Sequence, residues 1–308
     1  MKQLLADWRV RAFILTLVSL LVLLWLARET DVSQALAMLA RVQPGWWLLA
    51  LTSFLFGHLC RYRRYLLVWG WRAGLPSAAI TSVHGFASYF LPMRLGELVL
   101  PALARRLGEQ SFLVALAGLI WIRLFDLVVV LCLGAVAVLT LGPESLLVSQ
   151  LASLAGAQPA DLTGLPVDML MVVLALTLLA AGWWMLGRFE RLRSATSRLQ
   201  FIVLSLLVWL AVLVMNEAIA ASLSVSLSFA VLVWRLVGTT FAYAQPVQGV
   251  AGLGVHQLVW YLGLVSMGIS SSQALQLTIA THVLVVACVL VLGMLGAVLG
   301  WLARQRAD

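Results

Sequence analysis

Apolar residues in this chain run in long blocks separated by short charged stretches, with no sustained alternation of apolar and polar positions. A helix needs about 20 mostly apolar residues to cross a bilayer's hydrocarbon core. Six blocks meet that length, at roughly 10–27, 44–70, 111–140, 169–187, 201–222 and 272–302. Two further blocks, 77–107 and 228–267, are each interrupted near the middle. The first interruption is LPMRLGELVLP over residues 91–101, and the second is QPVQGVAGLG over residues 245–254. Proline lacks a backbone donor and glycine weakens a helix. The helices are therefore expected to stop at Pro92 and Gly96 in the first block, and at Pro246, Gly252 and Gly254 in the second. Broken backbone at membrane depth persists only where it is buried in protein or lines a wet cavity. Both blocks are expected to form re-entrant helix hairpins, the alternative being ordinary kinked spans. The fold class that follows is an all-α polytopic membrane protein with six full transmembrane helices and two re-entrant hairpins.

Composition agrees. Of 308 residues, 63% are hydrophobic and 10% charged, against about 25% charged in soluble domains. A soluble protein, a disordered chain and a nucleic-acid binder are excluded, and one transmembrane domain over 1–308 is expected. The net charge of +8 reads first as a topology signal. With the N-terminus inside and each hairpin returning to its side of entry, 15 of the 20 Lys and Arg residues lie inside, 2 outside and 3 within the membrane. That asymmetry obeys the positive-inside rule. Lys2, Arg9 and Arg11 precede the first apolar block, and the exit Arg28-Glu29-Thr30-Asp31 offers no small-residue cleavage site, so a retained span is expected. The connection 141–168 falls outside. Trp46, Trp47, Trp69, Trp71, Trp183, Trp184 and Trp301 lie near predicted span ends, where headgroup anchoring is expected. Cys60, Cys132 and Cys288 have no metal-ligand spacing and are expected to pack.

This topology makes residues 44–140, with hairpin 77–107, and residues 201–302, with hairpin 228–267, two copies of one plan in opposite orientation. Inverted repeats with broken helices recur in transporters.

Charge inside the blocks carries the candidate chemistry. A charged side chain at the bilayer centre costs about 2.5–3.5 kcal/mol on insertion scales, so each needs a partner or water. Arg94 and Glu97 straddle Gly96, and Arg123 and Asp126 share a helix face three residues apart. These four can form a neutral cluster. Glu217 and Arg235 in the second half are a candidate pair. A buried ion network can also serve only to fix helix register. Against that, Arg94 and Glu97 sit on a helix break, where freed amides favour anions, and arginine grips phosphate in a forked geometry. His58, His84, His256 and His282 are scattered, and only His256, beside Gln257 just past the second break, stands out as a candidate. The glycines Gly249, Gly252 and Gly254 lack the strand–turn–helix context of a nucleotide site. No catalytic signature occurs, so an enzyme, a cofactor and a metal are not expected.

These motifs resemble the lysylphosphatidylglycerol synthase transmembrane-region family, which includes the flippase domain of multiple peptide resistance factor and stand-alone membrane proteins. Pro92, Arg94, Gly96 and Glu97 match its P-x-R-x-G-E pattern, and Arg123 and Asp126 match its R-x-x-D. The stretch QPVQGVAGLGVHQLVWYLGLVSMGISSSQAL is similar to its later proline, G-x-G-x-x-E and G-(I/V)-x-x-x-x-A elements. Gln257 stands where the family commonly has glutamate, which puts a carboxylate-based mechanism in the second hairpin in doubt. No counterpart of the soluble aminoacyl-transfer domain is expected in these residues, so synthesis of an aminoacylated lipid is not.

The resemblance implies translocation of lipid between leaflets of a bacterial inner membrane, with both termini cytoplasmic. The substrate would be an anionic lipid, either a phospholipid or a polyprenyl-phosphate-linked glycan carrier. Arg94, Glu97, Arg123, Asp126 and Arg235 would hold the headgroup. Glu97, Asp126, Glu217, His256 and Gln257 are the candidates for coupling to a proton or ion. Two alternatives stay open: a non-transporting partner of an envelope-biosynthesis enzyme such as a glycosyltransferase or lipid synthase, and a small-solute or ion carrier on the same scaffold.

Overall fold

Proline, serine and glycine set most helix ends. The computed structural model describes residues 32–105, 111–141, 167–188, 190–244, 249–266 and 268–306. The predicted first span, Pro246 and most of the connection 141–168 lie outside these residues. After the short helix α1 (Val32–Ala40), α2 (Pro44–Trp69) opens on Pro44, where the absent N–H is not missed, and ends at Gly70. Helix α3 (Leu75–Phe90) likewise carries proline in its first turn. It stops at Leu91 and is followed by a 3-10 segment, Pro92–Leu98, and the short α4 (Val99–Ala104). Helices α5 (Phe112–Leu141) and α6 (Val167–Leu186) come next. Helix α7 (Ala195–Ser222) is capped by Ser194, whose Oγ accepts from the Ser197 N–H at 3.1 Å. Helix α8 (Phe229–Ala244) leads to a second 3-10 segment, Val250–Gly252, and to α9 (Val255–Ser266). Helix α10 (Ser271–Gln305) is capped by Ser270.

All secondary structure among the described residues is helical. Three helical stretches there are long and apolar enough to cross a membrane: Phe112–Val136, Ala195–Ser222 and Ser271–Gln305. At 1.5 Å per residue, even the shortest exceeds the ~30 Å hydrocarbon core. Helix α2 has the length, but Arg61, Arg63 and Arg64 fall within its last three turns.

Both predicted breaks are present. In each, the chain doubles back: α4 packs against α3, and α9 against α8. Each break also holds a non-glycine residue in the left-handed region, Arg94 at φ 58° and Ala251 at φ 54°, a conformation that costs about 1–2 kcal/mol per residue. Gly96 is required by close approach, because a Cβ there would lie 2.1 Å from the Ala87 carbonyl oxygen. The break is thereby held against the last turn of its own hairpin helix. At the second break Gly252 and Gly254 adopt φ 72° and 118°.

Packing repeats between the halves. Helices α2 and α7 pack on each other. The contact of α3 with α10 has its counterpart in α8 with α5, and that of α4 with α5 in α9 with α10. Exchanging 44–141 for 195–305 therefore returns the same neighbours for these α-helix pairs, though not for the 3-10 segments. The two breaks meet at the centre of this exchange. Segment Val250–Gly252 packs on α3 and on Pro92–Leu98, and the Tyr89 ring faces Gly252, where an added Cβ would approach it to 3.1 Å.

The tryptophans divide. Trp46, Trp183, Trp184 and Trp301 are exposed, as anchors should be, whereas Trp69 and Trp71 are buried and stack at 4.9 Å. They join Tyr65, Leu100, Leu119, Ile122, Leu192 and Phe201 in one of two apolar cores. The anchor expectation for this pair is corrected: α4, α5 and the segment Glu190–Leu192 cover that end of α2.

Gly96→Ala is expected to destabilise the protein by about 1–3 kcal/mol, the usual cost of overpacking, because the contact is backbone and no rotamer relieves it. Gly45→Ala, with nothing within 4 Å, is expected to be near neutral. Thermal unfolding in detergent micelles measures both.

Candidate functional site

The charged residues of the first half form one network, with membership different from the sequence expectation. Arg123 and Asp126 do share a face of α5, with Arg123 Nη1 3.9 Å from Asp126 Oδ2. Arg123 Nη2 donates to Glu97 Oε1 at 2.7 Å, and its Nε to Oε2 at 3.4 Å. This forked pair ties α5 to the first break. Asp126 takes its main cation from α2. Arg64 Nη1 donates to Oδ1, and Nη2 to Oδ2 at 3.2 Å. Arg64 is thus a cation of this cluster that the sequence did not mark. Arg94 occupies the left-handed turn of the break, half-buried, and the ion-pair partners of Glu97 are Arg123 and His84.

The Arg64 side chain is 0% exposed. Helix α2 continues through Tyr65, Val68 and Trp69, all buried, and so carries Arg64 into the packed interior. Nη1 also donates to Ser205 Oγ of α7 at 3.0 Å, and the guanidinium lies over the Phe201 ring at 5.6 Å. Trp209, also of α7, donates its indole N–H to Asp126 Oδ1 at 3.2 Å. Arg64 and Asp126 thus join α2, α5 and α7. The Glu97–Arg123 pair is more open, with the Arg123 side chain 33% exposed and Glu97 18%. One ion pair is sealed and its neighbour is accessible.

The second half gives a different polar group. Arg235 is buried, with its guanidinium 4.4 Å from the centre of the Trp260 ring, a favourable cation–π arrangement. Glu217 lies on α7 and Arg235 on α8. Gln257 Nε2 donates to His282 Nδ1 at 2.8 Å, and the Tyr89 hydroxyl is 3.3 Å from the same nitrogen. A small pocket is lined by Tyr89, Arg235, His256, Gln257, Trp260 and His282, among others. It draws on α3 of the first half and on α8, α9 and α10 of the second. Among the described residues no group of three His, Cys, Asp or Glu is placed to hold a metal.

Sequence reasoning missed Arg64, His84, Ser205, Trp209, Tyr89 and His282. Only Arg64 left a usable signal, since the apolar residues that follow it keep the helix going. The others are defined by helices that pack from distant parts of the chain.

Arg64→Leu is expected to destabilise the fold by about 3–5 kcal/mol, because it strands a buried carboxylate. The double variant Arg64→Leu/Asp126→Leu is expected to recover most of that loss. Unfolding midpoints of the two proteins in one detergent check the difference.

Neither a curated protein nor a solved structure matches the chain. Residues 12–293 match the family model described as the lysylphosphatidylglycerol synthase TM region. Since that match takes in both breaks and every charged residue placed above, the chain belongs to the lysylphosphatidylglycerol synthase transmembrane-region family.

Proposed function

We propose that the protein carries an anionic lipid between the leaflets of a bacterial inner membrane, as a transporter rather than an enzyme. Six spans and two hairpins entering from opposite faces would form the scaffold, with both termini cytoplasmic. The observation that carries this reading is the meeting of the two broken helices beside an ion cluster whose Arg123 is one-third exposed. A flippase has to lead a polar headgroup through a low-dielectric layer while the acyl tails stay in lipid. A break in each hairpin supplies free amides, and Arg94 and Arg123 supply guanidinium groups that suit a phosphate diester.

The sealed pair would keep the frame while the accessible pair does the work. Arg64 and Asp126 lock three helices together, so Asp126 serves the scaffold. Arg123, tied to Glu97 in the resting arrangement, would exchange that carboxylate for the arriving phosphate. Partner exchange of this kind binds an anion without leaving a bare charge in hydrocarbon, and reverses at release. Arg235, on the Trp260 face, would offer a second cation beyond the contact of the breaks.

Glu97→Gln and Arg94→Ala are each expected to slow leaflet exchange of a fluorescent phosphatidylglycerol in proteoliposomes by about 10–100-fold. That corresponds to losing one charge-assisted hydrogen bond of about 1.5–3 kcal/mol. Dithionite quenching of the probe measures the rate, and unchanged exchange in both variants would remove these residues from the site.

A further inference from the structure

His84 is the one titratable side chain that the lipid-carrier reading leaves unused at the centre of its site. It sits on α3, buried, with Nε2 3.4 Å from Glu97 Oε2. The contact is out of hydrogen-bond alignment, and Nε2 has no other hydrogen-bond partner among the described residues. Its surroundings are well defined. Glu97 faces it from the break and Arg123 from α5, while α2 contributes Arg61, His58 and Tyr65, whose ring centroid is 6.0 Å from the imidazole. From α10, His282 meets α3 five residues further on, at Tyr89. The second 3-10 segment brings no titratable side chain of its own.

Glu97 therefore has two neighbours of different kinds. On the exposed side is Arg123, a permanent cation. On the buried side is His84, a group that is cationic only when it holds a proton. If an arriving phosphate takes Arg123, Glu97 loses its counter-charge in a poorly solvated place. Two anions would then share one guanidinium, a costly arrangement at low dielectric. One proton restores the balance. It enters from water at Glu97, the more exposed partner, and is held between Glu97 Oε2 and His84 Nε2. When the phosphate leaves, Arg123 recaptures Glu97 and the proton returns to water.

We infer that His84 and Glu97 form a proton-accepting pair that makes each anionic headgroup travel with one proton, so that transport is electroneutral. This rests on the lipid-carrier reading above. Its signature is a steady-state distribution, distinct from any change in rate. One anion with one proton responds to a pH difference by about tenfold per unit, since one pH unit is worth 1.36 kcal/mol. The transported lipid accumulates in the leaflet on the alkaline side.

The test uses the full chain in phosphatidylcholine vesicles with a trace of fluorescent phosphatidylglycerol, a diester whose single charge does not titrate near neutrality. A pH step of one unit is imposed, with potassium and valinomycin clamping the membrane potential, and dithionite reads the leaflet ratio after equilibration. The wild-type chain is expected to hold a ratio of about ten. His84→Gln, which keeps a polar side chain but takes up no proton at that pH, is expected to exchange the probe more slowly and, once equilibrated, to settle near a ratio of one. His84→Asn is the second variant should the first fail to fold. A wild-type ratio near one with rapid exchange would overturn the coupling while leaving the carrier reading intact. A ratio near ten in both histidine variants would overturn the role of His84. No exchange by the wild-type chain would instead overturn the carrier reading, and the coupling with it.

Discussion

Ionised groups in an apolar chain have to be sheltered from hydrocarbon, and the rest of the structure follows from how that is done. Four charges, Arg64, Glu97, Arg123 and Asp126, are joined by forked or bridging contacts across α2, the first break and α5. A cluster of this kind tolerates burial because each charge sees its opposite at contact distance. It also needs backbone that can come close to it. Gly96 permits that approach by letting the break lie directly on the Ala87 carbonyl, and the strained left-handed turn at Arg94 is held in place by the same contact. Sequence, local backbone and electrostatics converge on the stretch from Pro92 to Leu98.

The two halves of the chain use one plan and different chemistry. The contacts among the four main helices of the first half have counterparts in the second, yet the charged network at the first break is answered by a cation on an aromatic face at the second. Gln257 hydrogen-bonds His282, and Tyr89 links the second half to the first through the same histidine. In the carrier proposed above, an asymmetric site on this frame would let one half hold the exchanging ion pair while the other supplies a fixed positive field.

Much of this was legible from residue order. Proline and glycine act through the local backbone, so LPMRLGELVLP and GVAGLG announced both breaks, and the spacing of Arg123 and Asp126 gave their shared face. Long-range packing was not legible. Arg64 drew no notice in a span that ends on three arginines within four positions, since sequence gives no sign of which of them turns inward. In the structure α2 continues past it, and Ser205 and Trp209 arrive from α7, some 140 positions away in the case of Ser205. Trp69 and Trp71 were misplaced for the same reason.

The central claim is that the breaks face opposite sides of the membrane and shelter the ion cluster where they meet. Single cysteines at Leu95 in the first break and Leu253 beside the second, in a background lacking Cys60, Cys132 and Cys288, test it most directly. In sealed vesicles of known orientation, a membrane-impermeant thiol reagent is expected to reach Leu95→Cys only from the cytoplasmic face and Leu253→Cys only from the other. Labelling of both from one face would contradict the account.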